Sequence, residues 1–539
     1  MNKRSILSSI VIACALPVMA GGFLTNTNQN ALFLRNPAID AYMRSIEGVY
    51  SNPAGSAFLG RGFHLSLNIQ NAKQQRIINS TFAPFATGIK NNGNPSKEYV
   101  GKAYAPIIPS FQAGYNTGNW SFTASFGLTG GGGKCEFSEG LASFESIASL
   151  LPMMGAEQLG IRSYNMDSYM QGRQYYFGLQ LGAAYKLNEH LSVYGGGRLV
   201  YATTSYNGYV KNIQIGLADG KMNPASKYFM DIHDQAIGVA AQLNAGAGQH
   251  RELASRYEAA GDAATAAGYR AQAAQYEAQA AGYTKQALEM AHLSGATENV
   301  TLFCDQKGWG FTPIIGVDWK INDQWNLAAK YEFKTRLRLR NKAANSASAD
   351  NLAALDQFKD GKKVAEDVPS LLTLGVQYSP IQSLRLSAGF HYFDDKHATK
   401  YGNTQELLDG GTTEILAGAE YDINSRITAS AGWQKTNYGL TDKYMKDMSF
   451  VTNSNTVGFG VRVKLTEKVN LDLSYLQTFY STYDKKSNDY NNVSGVASIV
   501  IGQERVNELL SNQQANPFVG MDSFTRKNRA FGIGLSIDF

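Results

Sequence analysis

Apolar and polar side chains alternate without a break along Phe63-His64-Leu65-Ser66-Leu67-Asn68-Ile69-Gln70, the pattern of a strand with one face in an apolar medium. The same period returns in residues 120–126, 175–187, 457–465 and 469–475. Successive side chains of a strand point to opposite faces. One face is therefore oily and aromatic, and the other carries Gly, Ser, Asn, Gln, Arg and Lys. The gaps between runs alternate between very short and very long. Short turns fall at 116–119, 187–190, 321–324, 380–383, 423–426 and 465–468, each supplied with Asn, Asp, Gly or Pro. Long polar stretches lie between them, roughly at 75–105, 129–172, 205–308, 341–368, 396–410, 437–453 and 484–525. Short turns on one rim and long loops on the other belong to a transmembrane barrel, and these turns imply about fourteen strands, an even number. The predicted fold is all-β: an antiparallel transmembrane β-barrel of about 14 strands with an N-terminal hatch and a helical insertion in a long extracellular loop.

The alternation also predicts register. In the last segment Phe531, Ile533, Leu535, Ile537 and Phe539 share the lipid face, with Gly532, Gly534, Ser536 and Asp538 on the other. Over 325–340 the odd positions, Trp325 to Leu339, are expected to face lipid. That choice sends Lys330, Glu332, Lys334, Arg336, Arg338 and Arg340 into the lumen, because a basic residue against mid-depth hydrocarbon costs roughly 2–4 kcal/mol. Tyr115, Trp120, Tyr185, Trp319, Trp325, Tyr378, Tyr421 and Trp433 are expected to form the periplasmic girdle.

One insertion, about 248–293, breaks the β pattern. Tyr269, Tyr276, Tyr283 and Met290 recur every seven residues, with Ala273, Ala280 and Ala287 four residues after each tyrosine. That stripe predicts two packed helices, with a break and N-cap at Gly261-Asp262. A dedicated docking hairpin for a protein partner is the alternative reading.

Residues 1–20 begin with Lys3 and Arg4, continue apolar through 6–16 and end Pro17-Val18-Met19-Ala20, the layout of a secretory signal peptide. A lipoprotein signal at Cys14 is the rival, but the residues after it stay apolar. Past the leader no run approaches the roughly 18 apolar residues of a spanning helix. With 17% charged residues, a formal charge of +5, 54 glycines, 30 tyrosines and 26 phenylalanines, the chain has the composition of an exported all-β protein. Its basic residues are scattered and leave no nucleic-acid footprint. Cys135 and Cys304 outlast the leader, either as independent cysteines or as a bridge. Neither has zinc-site spacing. The sequence has no His-Glu-x-x-His, no Gly-x-Ser-x-Gly and no metal-ligand cluster, so neither an enzyme nor a cofactor is expected.

The leader, the motif Gly48-Val49-Tyr50-Ser51-Asn52-Pro53-Ala54-Gly55 ahead of the first strand, about fourteen strands and a final Phe539 together resemble the FadL family of outer-membrane transporters. That family includes long-chain fatty-acid channels and TodX-like aromatic-hydrocarbon channels. The resemblance covers the mature chain, although Leu34-Arg35-Asn36-Pro37-Ala38-Ile39-Asp40-Ala41-Tyr42 lacks the glycine cluster of the family's early hatch. It implies a signal peptide at 1–20, a hatch or plug at 21–60 folded inward, and a barrel at 61–539. It further implies sideways exit through the wall where the third strand is kinked. Here that strand, 119–128, runs into Gly130-Gly131-Gly132-Gly133. Four glycines weaken strand order, leaving either a flexible loop root or a lateral gate.

The function implied is passive uptake of hydrophobic or amphipathic small molecules, of the long-chain fatty acid or aromatic hydrocarbon type. Such a ligand needs a mostly apolar pocket. Phe23, Leu24, Leu32 and Phe33 are expected to close the lumen and touch the ligand. Arg198, Lys330 and Arg336 are expected to face the lumen, either holding a carboxylate head or pairing with acids such as Glu332, Asp318 or Glu420. Asn52, Pro53, Ala54 and Gly55 are expected to shape the hatch. The expected partners are outer-membrane lipid and lipopolysaccharide, a hydrophobic ligand, and a protein at the helical loop; the expected state is a monomer. The alternative is a cargo-binding scaffold of the type IX secretion system, suggested by the long loops.

Overall fold

The computed structural model describes residues 29–155, 159–512 and 515–539; the leader 1–20 and the hatch residues Phe23 and Leu24 lie outside them. Fourteen wall strands follow one another: β1 Gly62–Phe82, β2 Ser96–Asn116, β3 Trp120–Phe137, β4 Ile161–Lys186, β5 Leu191–Leu217, β6 Val300–Lys320 and β7 Trp325–Glu332, then β8 Leu371–Ile381, β9 Leu384–Phe393, β10 Thr412–Asp422, β11 Ile427–Asn437, β12 Ser454–Lys464, β13 Val469–Tyr480 and β14 Gly520–Asp538. Met222–Pro224, Arg338–Ala343, Lys363–Ala365 and Tyr483–Ser487 are short additions to the same 18-stranded sheet. β14 returns to β1, with Leu67 opposite Leu535 and Ile69 opposite Ile533, so the antiparallel wall closes. Among the described residues no helix is long and apolar enough to cross a membrane.

All six short turns join wall strands where the alternation placed them. The outward face of β6 shows the lipid band most plainly: Trp309, Phe311, Ile315, Val317 and Trp319 are all exposed. About ten tilted residues between its two tryptophans match the thickness of a hydrocarbon core. Phe531 and Ile533 are likewise exposed on β14, while Gly532, Gly534 and Ser536 face inward and are buried.

The long polar stretches begin as wall. β4 has 26 residues and β5 has 27, so the strands rise well above the membrane before their loops begin. Polar residues occur on both faces there, and an apolar period has no hydrocarbon to answer to.

Register fails as expected in one place. Through β7 it holds, with Lys330 and Glu332 buried in the lumen. Beyond Glu332 it reverses: Leu337 and Leu339 are buried, whereas Arg336, Arg338 and Arg340 are exposed on the outer surface. The cause is one extra residue. Ile314 pairs with Glu332 and Lys307 with Arg340, so eight residues of the one chain oppose seven of β6, a β-bulge. Side chains after the bulge change face. Arg340, directly opposite Lys307, lies beyond Trp309 and so beyond the lipid band.

The helical insertion is larger than its periodicity suggested, with helices at Ala225–Ala259 and Ala263–Ala296. Polar residues of 225–247 obscured the first helix. Gly261, at φ +82°, makes the break, and Asp262 caps the second helix by accepting from the Thr265 N–H at 3.0 Å. Ala240, Ala247 and Ala254 face Ala266, Ala273, Ala280 and Ala287 as a buried seam, with tyrosines flanking it. Each helix is about 50 Å long, and the hairpin is anchored at its base by Phe229, Met290 and Leu293.

Cysteine labelling tests the reversed register. In a Cys135→Ser, Cys304→Ser background, Arg340→Cys reacts with a polar maleimide in detergent-solubilised protein while Leu339→Cys stays protected. Equal reaction at both positions would refute the bulge.

Candidate functional site

The interior below the extracellular rim is filled by residues 29–59. Asn30 starts a short helix, Ala31–Arg35, accepting from the Phe33 N–H at 3.1 Å and donating to the Glu47 carbonyl at 2.7 Å. Leu32, Phe33, Leu34, Ile39 and Tyr42 pack with Leu476 and Ala530 of the wall. A track of lumen-facing glycines makes room for this segment. Gly375, Gly432, Gly460 and Gly532, on four different strands, lie so close that a Cβ on any of them would come within 2.5 to 2.8 Å of Asp40, Pro37, Arg35 or Leu34. The segment is fitted to the wall as a second layer.

Buried charge fastens it. Arg35 meets Glu420 at 2.5 Å and Asp472 at 2.9 Å; Arg462 meets Glu47 at 2.8 Å and Asp472 at 2.7 Å. The His391 ring lies between Asp40 at 3.0 Å and Glu414 at 2.7 Å. Arg198 and Lys330 converge on Glu332 at 2.6 and 2.7 Å and flank the Tyr50 ring, its centroid 4.6 and 4.8 Å away. Lys330 also donates to the Tyr50 carbonyl at 2.8 Å. Asn52 accepts from the Gly55 N–H at 3.1 Å and bonds Asp318 of β6, while Ser192 of β5 donates to the Ala54 carbonyl at 2.8 Å. The Asn52–Gly55 turn thus docks on β5 and β6, with Ala54 packed beside Ala184, Tyr194 and Ile314.

Among the described residues the wall pairing breaks at the bulge, between Ile314–Glu332 and Lys307–Arg340, and again between β2 and β3. β2 and β3 pair at Ala103–Cys135 and again at Phe111–Phe126, with no ladder between. On β2 this window includes Pro106 and Pro109, which have no N–H to offer. On β3 it holds the glycine run. The strand passes through that run to Phe137 and carries two register shifts against β4, so the glycines belong to the wall and not to a loop root. Gly131 has φ +95° and lies so near β4 that a Cβ would sit 2.5 Å from the Gln174 carbonyl oxygen. Gln29, buried, donates from Nε2 to the Leu128 carbonyl inside the window at 2.6 Å. Thr129, also in the window, borders a small lumenal cavity with Tyr50, Arg198 and Phe393.

Above the hatch the loops fold into the barrel mouth around Phe82, Phe85, Phe137, Leu150, Phe358, Phe450 and Phe518. The helix Ala142–Gly155 is positioned through Glu145, which accepts from Lys97 at 2.8 Å, Tyr99 at 2.6 Å, Tyr164 at 2.7 Å and Asn91 at 2.7 Å. Burial alone would raise this carboxyl, but the Lys97 ammonium and these donors hold it below the usual range. One side of the helix borders an apolar cleft of about 110 Å³, lined by Phe144, Ile147, Val210, Leu302, Leu355 and Met448 among others. A polar chamber of about 330 Å³ adjoins it, sharing Ser143 and Met448 and bordered by Lys446, Lys485, Asp447 and Asp522. Burial and the nearby Lys485 push Lys446 down to about 8.

The expected site residues are therefore dispersed. Leu32 and Phe33 lie in the hatch layer, Arg198 and Lys330 are joined at Glu332, and Arg336 faces outward because of the bulge. Cys135 and Cys304 are free and buried in the mouth core. Gln29, the Asp40–His391–Glu414 cluster and the cleft went unforeseen, since each joins residues far apart in sequence. The glycine track alone left a local trace, as Gly458-Phe459-Gly460 and Gly532-Ile533-Gly534.

No family model matches the sequence, and no curated protein is similar to it. Among solved structures, a FadL homologue from Pseudomonas aeruginosa is similar at TM-score 0.55 and 13% identity, covering 96% of this chain and 100% of that one. A TodX deltaS2S3 mutant monoaromatic hydrocarbon channel is similar at TM-score 0.52 and 13% identity, covering 96% and 99%. At identity this low the likeness shows the fold alone.

Two outcomes follow from the charges. Glu332→Gln strands two buried cations and lowers unfolding stability in denaturant by about 3–5 kcal/mol, whereas Arg336→Gln, on the outer surface, changes it by less than about 0.5 kcal/mol. Because the Glu145 carboxyl is held below its ordinary 4.5, its contribution is present above that value and is lost as pH falls through the depressed folded value. Protease sensitivity of the 142–155 helix should rise over that acid range and lose this pH dependence in Glu145→Gln.

Proposed function

We propose that this chain, whose fold is that of the FadL-type channels, takes up small hydrophobic or amphipathic compounds passively across the outer membrane and releases them sideways through the β2–β3 lapse. The observation that carries this reading is the lapse itself, with an apolar cleft above it at the mouth. An oily solute enters the cleft without specific polar contacts, since each buried methylene contributes about 0.8 kcal/mol. The adjoining polar chamber favours a solute with a polar end.

Magnitudes choose the exit. Opening downward means withdrawing Arg35, Asp40 and Glu47 from buried partners, and breaking one such pair from one side costs about 3–5 kcal/mol. Opening sideways gives up, among the contacts of Gln29, its bond to the Leu128 carbonyl, a neutral hydrogen bond worth about 0.5–1.5 kcal/mol net. In this reading residues 21–60 act as a plug that stays in place, and Gly130–Gly133 supply the slack at the gate. A transmembrane solute path then never crosses the periplasmic hatch layer.

A bridge across the lapse tests the route. A Cβ on Gly127 would lie 3.3 Å from the Ser110 Cβ, near the roughly 3.5–4.5 Å span of a disulfide. In the Cys135→Ser, Cys304→Ser background, Ser110→Cys with Gly127→Cys should cut uptake of a labelled long-chain carboxylate at least ten-fold when oxidised and recover it on reduction. Undiminished uptake through the bridged wall would remove the sideways exit. The cleft is tested separately: Val210→Asp with Leu355→Asp should lower uptake about ten-fold or more at equal surface expression, in line with burying a charge among apolar groups.

A further inference from the structure

The bulge after Glu332 puts a concentration of positive charge on the outside of the barrel. Lys307 of β6 lies directly opposite Arg340, and Arg340 lies directly opposite Lys363, so three cations form one cross-strand row. Arg338 and Lys342 flank Arg340 on the same face, and Arg336 lies below; all six are exposed. Like charges directly opposite across strands are destabilising, and none of the three residues in the row has an ion-pair partner among the described residues. The nearby acids face other cations: Asp367 is buried and paired with Arg338 at 2.5 Å, and Asp305 lies opposite Lys342, two pairs along.

The height of the row identifies what would neutralise it. Trp309 is 62% exposed and Phe311 59%, two and four residues below Lys307 on the same outward face. Trp309 marks the extracellular edge of the lipid band, as Trp319 marks the periplasmic edge. Tryptophan favours the membrane–water interface. Lys307, Arg340 and Lys363 therefore stand at headgroup level, beyond an apolar surface suited to acyl chains.

We propose that Lys307, Arg340 and Lys363, with Arg338 and Lys342 beside them, bind the phosphate of an outer-leaflet lipid whose chains lie against Trp309 and Phe311. A guanidinium presents a planar fork of donors that matches a phosphate, and an anion between the three cations turns their mutual repulsion into attraction. The reversed register has a function on this account: it turns the basic side chains outward at headgroup height and leaves Leu337 and Leu339 to pack in the lumen. The site is independent of the solute the lumen carries.

Purified full-length protein, stripped of lipid in a neutral detergent, tests this. Phosphorylated lipopolysaccharide should bind wild type at least ten-fold more tightly than it binds Lys307→Gln, Arg340→Gln, Lys363→Gln, as read by native mass spectrometry or by the rise in unfolding temperature. A variant removing the same charge from the helical hairpin and its approach, Lys221→Gln, Lys227→Gln, Lys285→Gln, should bind like wild type. Dephosphorylated lipid should bind wild type at least ten-fold more weakly, a comparison that needs no variant. Inorganic phosphate alone should neither raise the unfolding temperature nor compete at millimolar concentration. Equal binding by the triple variant, undiminished binding of dephosphorylated lipid, or full competition by inorganic phosphate would each overturn the proposal.

Discussion

Hydrocarbon offers no partner to a peptide N–H or C=O, so a strand wall within it has to satisfy its backbone by closing on itself. Closure of β14 on β1 meets that demand, and it makes the lapse between β2 and β3 conspicuous. The lapse is made tolerable locally. Pro106 and Pro109 remove two donors, the glycines lessen side-chain crowding, and Gln29 supplies a donor to the Leu128 carbonyl. A side chain from inside the lumen replaces a missing strand partner, and a side chain can rotate away where a ladder cannot.

The same demand acts differently on the interior. Burial of Arg35, Glu47 and Asp40 in the hatch layer means that each needs a counter-charge on the wall: Arg35 with Glu420, Glu47 with Arg462, Asp40 with His391. These pairs fix the segment from several sides, and the glycine track removes the side chains that would hold it off.

Outside, the barrel answers to two media. Aromatic residues mark the edges of the hydrocarbon, and above them the strands continue as polar walls that carry the mouth core, the cleft and the helical hairpin. A single inserted residue after Glu332 exchanges the lumenal and outer faces of the chain beyond it. The slip turns Arg336, Arg338 and Arg340 to the outer surface.

Strand number, short-turn positions and the lipid face of β7 and β14 could be read from the chain alone, because a two-residue period is written locally and hydrocarbon penalises any departure from it. The short turns carry their own chemistry in Asn, Asp, Gly and Pro. The ends of the long strands could not be read, since above the membrane both faces are polar and the period fades. Nor could the face of Arg336, whose orientation depends on a bulge defined by the register of β6. The fates of Arg198 and Lys330 were decided by Glu332 and Tyr50, the latter far from both in sequence. The meeting of Gln29 with Leu128, and of Asp40 with His391, exists only once the wall has closed around the N-terminal segment. Local alternation determined the barrel; the pairing of distant side chains inside the closed wall decided how the N-terminal segment is held there.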